Sequence, residues 1–281
     1  MPERSVVRTV QAQETSEGAG VRLHRSIGTP QLDHLDPFLL LDEFKSDRAQ
    51  DYIAGFPDHP HRGFETVTYM LAGAMEHRDH SGNRGHLVAG SVQWMTAGRG
   101  IIHSEMPQQE DGLMWGFQLW VNLPAREKMR DPRYQDIPPE RIPVVQDGGA
   151  TIRVIAGDVH GTRGPVEGIA TSPVYLDVSV PAGSRAHLAV PPGHNAFGYV
   201  FEGEADLGPE GGARAVRAGH LAVLGEGDAL TASTGRDAAR FLLVGARPLG
   251  EPIARYGPFV MNTREEIMQA FRDFQEGSLG T

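Results

Sequence analysis

The sequence predicts an all-β protein of two barrel or sandwich domains ending in a single helix. Three observations carry that reading. Glycine and proline supply 35 and 20 of the 281 residues, the composition of a chain that turns often between short elements. Apolar runs of strand length recur between turn signals along most of the chain. A block of the first half also returns in the second: Tyr69-Met70-Leu71-Ala72-Gly73 matches Tyr199-Val200-Phe201-Glu202-Gly203 at an offset of 130, and Gly90, Val92 and Gly98 match Gly219, Leu221 and Gly227 at an offset of 129. At roughly 100–200 residues per domain, the length also favours two domains with sizeable cores.

Taken in order, the strand candidates are Thr66 to Leu71, Ser91 to Met95, Ile101 to Glu105, Phe117 to Asn122, Thr151 to Ile155, Val174 to Val180, Phe197 to Phe201, His220 to Leu224 and Arg240 to Val244. The rhythm breaks after residue 123, where Pro124, Pro132, Pro138, Pro139 and Pro143 surround a short helical candidate, Ala125 to Arg130. The expected organisation is therefore a first domain over 1–123, a proline-rich connection over 124–145 and a second domain over 146–281. The C-terminal helix is marked by Thr263 and Glu266, a capping-box pair, and by Ile267, Ala270, Phe271 and Phe274 at helical spacing before Gly277.

Composition excludes several functions. A net charge of −10 gives no general electrostatic footprint for nucleic acid. The absence of cysteine removes disulfides, thiolate nucleophiles, iron–sulfur clusters and thiolate zinc sites, so any metal must use histidine and carboxylate. No apolar run approaches a membrane span and the start has no signal-peptide core, so a soluble cytoplasmic protein is expected. There is no glycine-rich phosphate loop and no nucleophile elbow.

Chemistry concentrates in two short segments. In Asp58-His59-Pro60-His61, the intervening proline favours extended backbone, in which residues two apart share a face. His103 and Glu105 repeat the device after Gly98-Arg99-Gly100. Two such pairs inside one barrel would offer three imidazoles and a carboxylate to one ion, leaving coordination positions open. With 12 histidines in the chain, spacing alone equally admits a chance arrangement. His77, His80 and His86 fall in a polar stretch read as a solvated hairpin loop, and Ser104 should face away from its neighbours' side of the strand. Phe56, Phe64, Trp94, Trp115 and Trp120 read mainly as core, with the option of walling a pocket.

The segments GFPDHPHRGFETVTYML and VQWMTAGRGIIHSEMP, with DPFLLLDEF, LWVNLP, YQDIP, LGEGD and GPFVMNTREEI around them, closely resemble the pirin family of the cupin superfamily, from about residue 20 to 276. The resemblance implies two jelly-roll barrels, the first holding one non-haem divalent metal on His59, His61, His103 and Glu105. Iron(II) is the ion it favours; imidazole and carboxylate also suit nickel, cobalt, copper, manganese or zinc. Generic cupins instead take their carboxylate from the first motif. Here that would be Glu65, which we expect to orient a ligating histidine while Glu105 serves as ligand and base.

Carried by the repeat offsets, His59, His61, His103 and Glu105 fall on Ala189, Pro191, Ala232 and Thr234, so the second barrel should hold no metal. His187, His194 and His220 lie near that place without paired spacing. The resemblance further implies a quercetin 2,3-dioxygenase acting on a planar flavonol with dioxygen. Its alternative is a metal-dependent regulatory protein that docks on a transcription factor or a metabolic enzyme.

Overall fold

The computed structural model describes residues 2–281. It is built from antiparallel strands, with one α-helix among the described residues, Arg264–Gln275. Among the described residues no helix is long and apolar enough to cross a membrane. The chain forms two compact units, each a seven-stranded sheet with a four-stranded one.

In the unit that carries the histidine segments, the larger sheet runs Arg133–Ile137, Val92–Thr96, Phe64–Ala72, Met114–Asn122, Phe38–Ser46, Val21–Ile27 and Gln13–Glu17. The smaller runs Phe56–His61, Ile101–Pro107, Ala74–Asp79 and Arg84–Val88. The other unit repeats this order from Arg185–Ala189 through Ala229–Ser233 and Glu204–Leu207 to Arg214–Arg217, beside a larger sheet centred on Asn195–Glu202 and Ala239–Ala246. The repeat seen in the sequence is thus a repeat of topology. Tyr69 and Tyr199 sit on corresponding strands, Phe64–Ala72 and Asn195–Glu202.

The unit boundaries differ from those expected. One unit comprises Met1–Gln13, Thr29–Pro37 and Glu140–Pro248, the other Glu14–Gly28, Phe38–Pro139 and Leu249–Thr281. Expectation followed chain order, whereas the termini are exchanged. The early strand Val6–Gln11 pairs with His220–Leu224, while the C-terminal helix lies in the unit of the histidine segments. There Phe259, Met261, Ile267, Ala270 and Leu279 form one buried cluster with Ile102. The helix begins as expected: the Thr263 hydroxyl accepts from the Glu266 backbone N–H at 3.2 Å, and the Glu266 carboxylate accepts from the Thr263 N–H at 2.9 Å.

The stretch 124–145 is also more than a connection. Its helical candidate shortens to a 3₁₀ turn, Ala125–Glu127, and Arg133–Ile137 extends the larger sheet by pairing with Val92–Thr96. Lys128 is buried here, its ammonium donating to Gly63 O at 2.7 Å, Asn122 Oδ1 at 2.6 Å and Val260 O at 3.0 Å. Gly63 itself has φ +88°, and a Cβ there would stand 2.0 Å from Val260 O, so glycine is required where the histidine strand turns into the next.

The second unit is filled. Strand register pairs Ala232 with Ala186 and Leu230 with Leu188, the places that correspond to His103 with His59 and Ile101 with His61. The sequence offset had set the first-motif equivalents three residues later, at Ala189 and Pro191, because a repeat measured on one strand does not keep count across loops of different length. Both comparisons find apolar or small residues. Ala186, Leu188, Leu230 and Ala232 are all buried in one continuous core.

Candidate metal centre

Strand geometry brings the three histidines together. His103 on Ile101–Pro107 lies directly opposite His59 on Phe56–His61, and Ile101 opposite His61. The alternation of Ile101–Pro107 turns Ile101, His103 and Glu105 inward and leaves Ile102 and Ser104 on the other face, as expected for Ser104. One potential ligand atom from each of His59, His61 and His103 falls within a group 4.8 Å across. Ring centroids are 4.3 Å apart for His59 and His103, 4.7 Å for His59 and His61, and 4.9 Å for His61 and His103.

The rings suit a cation. His59 Nδ1 lies 2.8 Å from Pro57 O, His61 Nδ1 3.5 Å from Pro258 O, and His103 Nδ1 3.2 Å from His77 Nδ1. Each Nδ1 is thus engaged, leaving Nε2 as the available donor, and His103 Nε2 is buried without any partner. Burial, and next the charge that His59 would carry, hold the His61 ring well below the usual histidine range. Burial and the neighbouring His61 do the same for His103. The neutral, buried rings of His61 and His103, facing the half-buried His59, fit a divalent ion and are otherwise an expensive use of buried polar atoms.

Glu105 is buried in the same unit but outside that tight group. Its Oε1 lies 3.1 Å from the Thr68 hydroxyl, and its Oε2 accepts from Gln118 Nε2 at 3.3 Å. The register against Phe56–His61 slips between His103 and Glu105, placing Glu105 opposite Phe56. Burial raises its pKa, opposed by His59 and by the Thr68 and Gln118 hydrogen bonds. A cavity of about 600 Å³ opens over His59, His61 and Glu105, with Leu40, Phe44, Phe56, Met75 and Trp120 as apolar wall. Phe64 packs on both His61 and Trp120, at centroid distances of 5.0 and 4.4 Å. Trp94 and Trp115 lie elsewhere: they share the opposite face of the sheet, where Trp115 Nε1 donates to Glu43 Oε1 at 2.8 Å.

Glu65 does not orient a ligating histidine. On Phe64–Ala72 the even positions Phe64 and Thr68 face the site, so Glu65 faces the reverse side of the sheet, where its Oε1 accepts from Thr96 Oγ1 at 2.7 Å. The parity with His59 and His61 is broken because Arg62 and Gly63 separate two strands in two different sheets. Burial lifts the Glu65 carboxyl to about 7.

The polar stretch around residue 80 also departs from expectation. Only residues 80–83 form the turn, and His77 lies on the strand Ala74–Asp79, 2% exposed, beside His103. Its Nε2 lies 2.8 Å from the Tyr134 hydroxyl. Burial chiefly lowers the His77 pKa, to about 4. Alternation within Glu76-His77-Arg78-Asp79 is visible in the sequence only once the turn is shortened. In the second unit His194 is buried with Nε2 2.9 Å from Ser172 O, whereas His187 is exposed; neither joins a metal-holding group among the described residues.

Comparison with known proteins places this geometry. A family model described as Pirin matches residues 20–121, and one described as Pirin C-terminal cupin domain matches residues 175–280. The chain is 52% identical over 279 residues to a pirin-like protein of Caulobacter vibrioides, covering 99% of each. To the pirin of Homo sapiens it is 45% identical over 280 residues, covering 99% of this chain and 94% of that one. Among solved structures, a quercetin 2,3-dioxygenase from Acinetobacter baumannii is similar with a TM-score of 0.89 at 34% identity, covering 99% of both chains.

Proposed function

Because the chain belongs to the pirin family, we propose that it is a mononuclear metalloenzyme that opens a flavonol ring with dioxygen, as a quercetin 2,3-dioxygenase does. The observation that carries this reading is the convergence of three imidazoles, His61 and His103 buried and His59 half-buried, beside a cavity with an apolar wall into which the buried Glu105 carboxylate also faces. His59, His61 and His103 would hold the ion, with Glu105 within the same pocket as fourth ligand and base. Iron(II) is the first ion to test, one per chain.

When bound, the ion would supply Lewis-acid binding of the substrate oxygen and the electronic route by which dioxygen reacts. The protein's own share is positional and acid–base. The flat walls formed by Trp120 and Phe56, with Leu40 and Met75, suit a planar polyphenol, and a cavity of about 600 Å³ is ample for one. Glu105 would take the proton of the flavonol 3-hydroxyl. Its raised pKa makes it a better base than an exposed carboxylate, while Thr68 and Gln118 keep it aimed into the pocket. The apolar wall limits water at the reacting centre.

The test is direct. Protein loaded separately with iron, nickel, cobalt, copper, manganese or zinc is mixed with quercetin in air, and flavonol absorbance and carbon monoxide release are followed. Turnover with at least one ion, scaling with one bound equivalent per chain, is the expected result. No turnover with any of them overturns the enzymatic reading in favour of a regulatory protein.

A further inference from the structure

His103 is the most deeply enclosed of the three histidines, and a chain of side chains leads from it to the protein surface. His103 Nδ1 stands 3.2 Å from His77 Nδ1, and His77 Nε2 stands 2.8 Å from the Tyr134 hydroxyl. Tyr134 in turn hydrogen-bonds the side chain of Asp79. Asp79 Oδ1 also accepts from the backbone N–H groups of Ser81 and Asn83, both at 2.9 Å, and Oδ2 from Asn83 Nδ2 at 2.7 Å. A carboxylate that receives only donors is an acceptor, and this fixes the direction of every bond behind it.

The Tyr134 hydroxyl must donate to Asp79, so its oxygen accepts from His77 Nε2–H. His77 then presents a bare Nδ1, which accepts from His103 Nδ1–H. His103 Nε2 is thereby left with a lone pair, and it is this atom that is buried without a partner. The reverse direction would put a proton on His103 Nε2, an N–H with nothing to bind and no capacity to ligate. We infer that Asp79, Tyr134 and His77 are positioning residues that lock His103 in the tautomer whose Nε2 can bind a metal. The inference rests on the metal-centre reading above, but the lock itself belongs to the metal-free protein. A hydrogen-bonded partner behind a ligating histidine is a general means of fixing its ring, with loss typically costing about 10- to 100-fold in metal affinity.

Long-range proton–nitrogen spectra of the ¹⁵N-labelled, metal-free protein report the tautomer of His103, and competition of Zn(II) against a chelator reports affinity. The native protein should show a proton on His103 Nδ1 only. Tyr134→Phe, which removes the hydroxyl and keeps the ring, and Asp79→Asn, which can turn an N–H toward Tyr134, should each move proton occupancy onto Nε2 and weaken Zn(II) binding at least tenfold. His77→Gln can accept from His103 and donate to Tyr134, and should retain more affinity than His77→Phe. An unchanged tautomer in both Tyr134→Phe and Asp79→Asn overturns the lock. So does a changed tautomer with unchanged Zn(II) affinity. A native protein that shows the single tautomer yet binds no metal would sink the enzymatic reading while leaving the lock standing.

Discussion

Two buried glutamates differ in everything but residue type, and they set the sharpest residue-scale expectations. Glu105 sits in the pocket between Thr68 and Gln118, Glu65 on the reverse of the sheet against Thr96. Glu105→Gln should retain part of the bound metal through the histidines and lose quercetin turnover by about 10²-fold or more per bound ion, the usual scale for a lost acid–base group. Equal turnover per ion would reject Glu105 as base. Glu65→Gln should leave turnover intact and change stability instead. With its pKa raised from 4.5 to about 7, Glu65 keeps a proton in the folded state that the unfolded chain releases, so stability is full below about pH 4.5 and falls as pH rises through 7. At about 1.4 kcal/mol per pH unit that loss is about 3 kcal/mol. Urea unfolding should therefore find Glu65→Gln more stable than native at pH 8, by about 1–3 kcal/mol, and no more stable at pH 4.5. His61→Ala should lose most bound metal yet keep the native circular dichroism, since the barrel is held by its packed interior and not by one ion.

At the scale of elements, Lys128 shows how a short turn can organise strands. Its buried ammonium joins Gly63, Asn122 and Val260, and burial brings its pKa down to about 8. Lys128→Met leaves three acceptors without that donor and should cost about 2–4 kcal/mol in denaturant unfolding. A loss below about 0.5 kcal/mol would show that water replaces the ammonium there. None of this is legible in the sequence, where Lys128 is one cation in a proline-rich stretch. The pairing of His59 with His61 and of His103 with Glu105 was legible because side chains two apart on a strand share a face, and the helix because its cap and its apolar spacing are both local. Glu65 was misplaced because Arg62 and Gly63 change the strand and with it the face. His77 and Tyr134 were missed because a polar strand and an edge strand look like loops until their partners are known.

Over the whole molecule, the exchange of terminal segments decides what can be removed. His59, His61, His103 and Glu105 all precede residue 106, yet Pro258 lies against His61, Asp273 pairs with Arg62 at 2.6 Å, and Val260 accepts from Lys128. A chain ending at Pro248 keeps all four proposed ligands but lacks these supports, and metal analysis should find it far below one equivalent. Full occupancy of that shortened protein would show that the C-terminal segment only covers a site already complete. The expected two-part division at 123 and 146 would have predicted the opposite, because it assigns the helix to the other unit.

Exchanged termini also impose an order in time. During synthesis the histidines leave the ribosome early, but the segment that carries Pro258 and Asp273 emerges only after the whole stretch Glu140–Pro248 of the other unit. A domain continuous in sequence can close as soon as its own stretch is out, whereas this one waits for Leu249–Thr281. The nascent chain thus carries an open, incomplete cradle until that segment is made, and a product terminated before it never acquires a finished one. Possession of a closed histidine pocket becomes a certificate that the chain was read past Asp273.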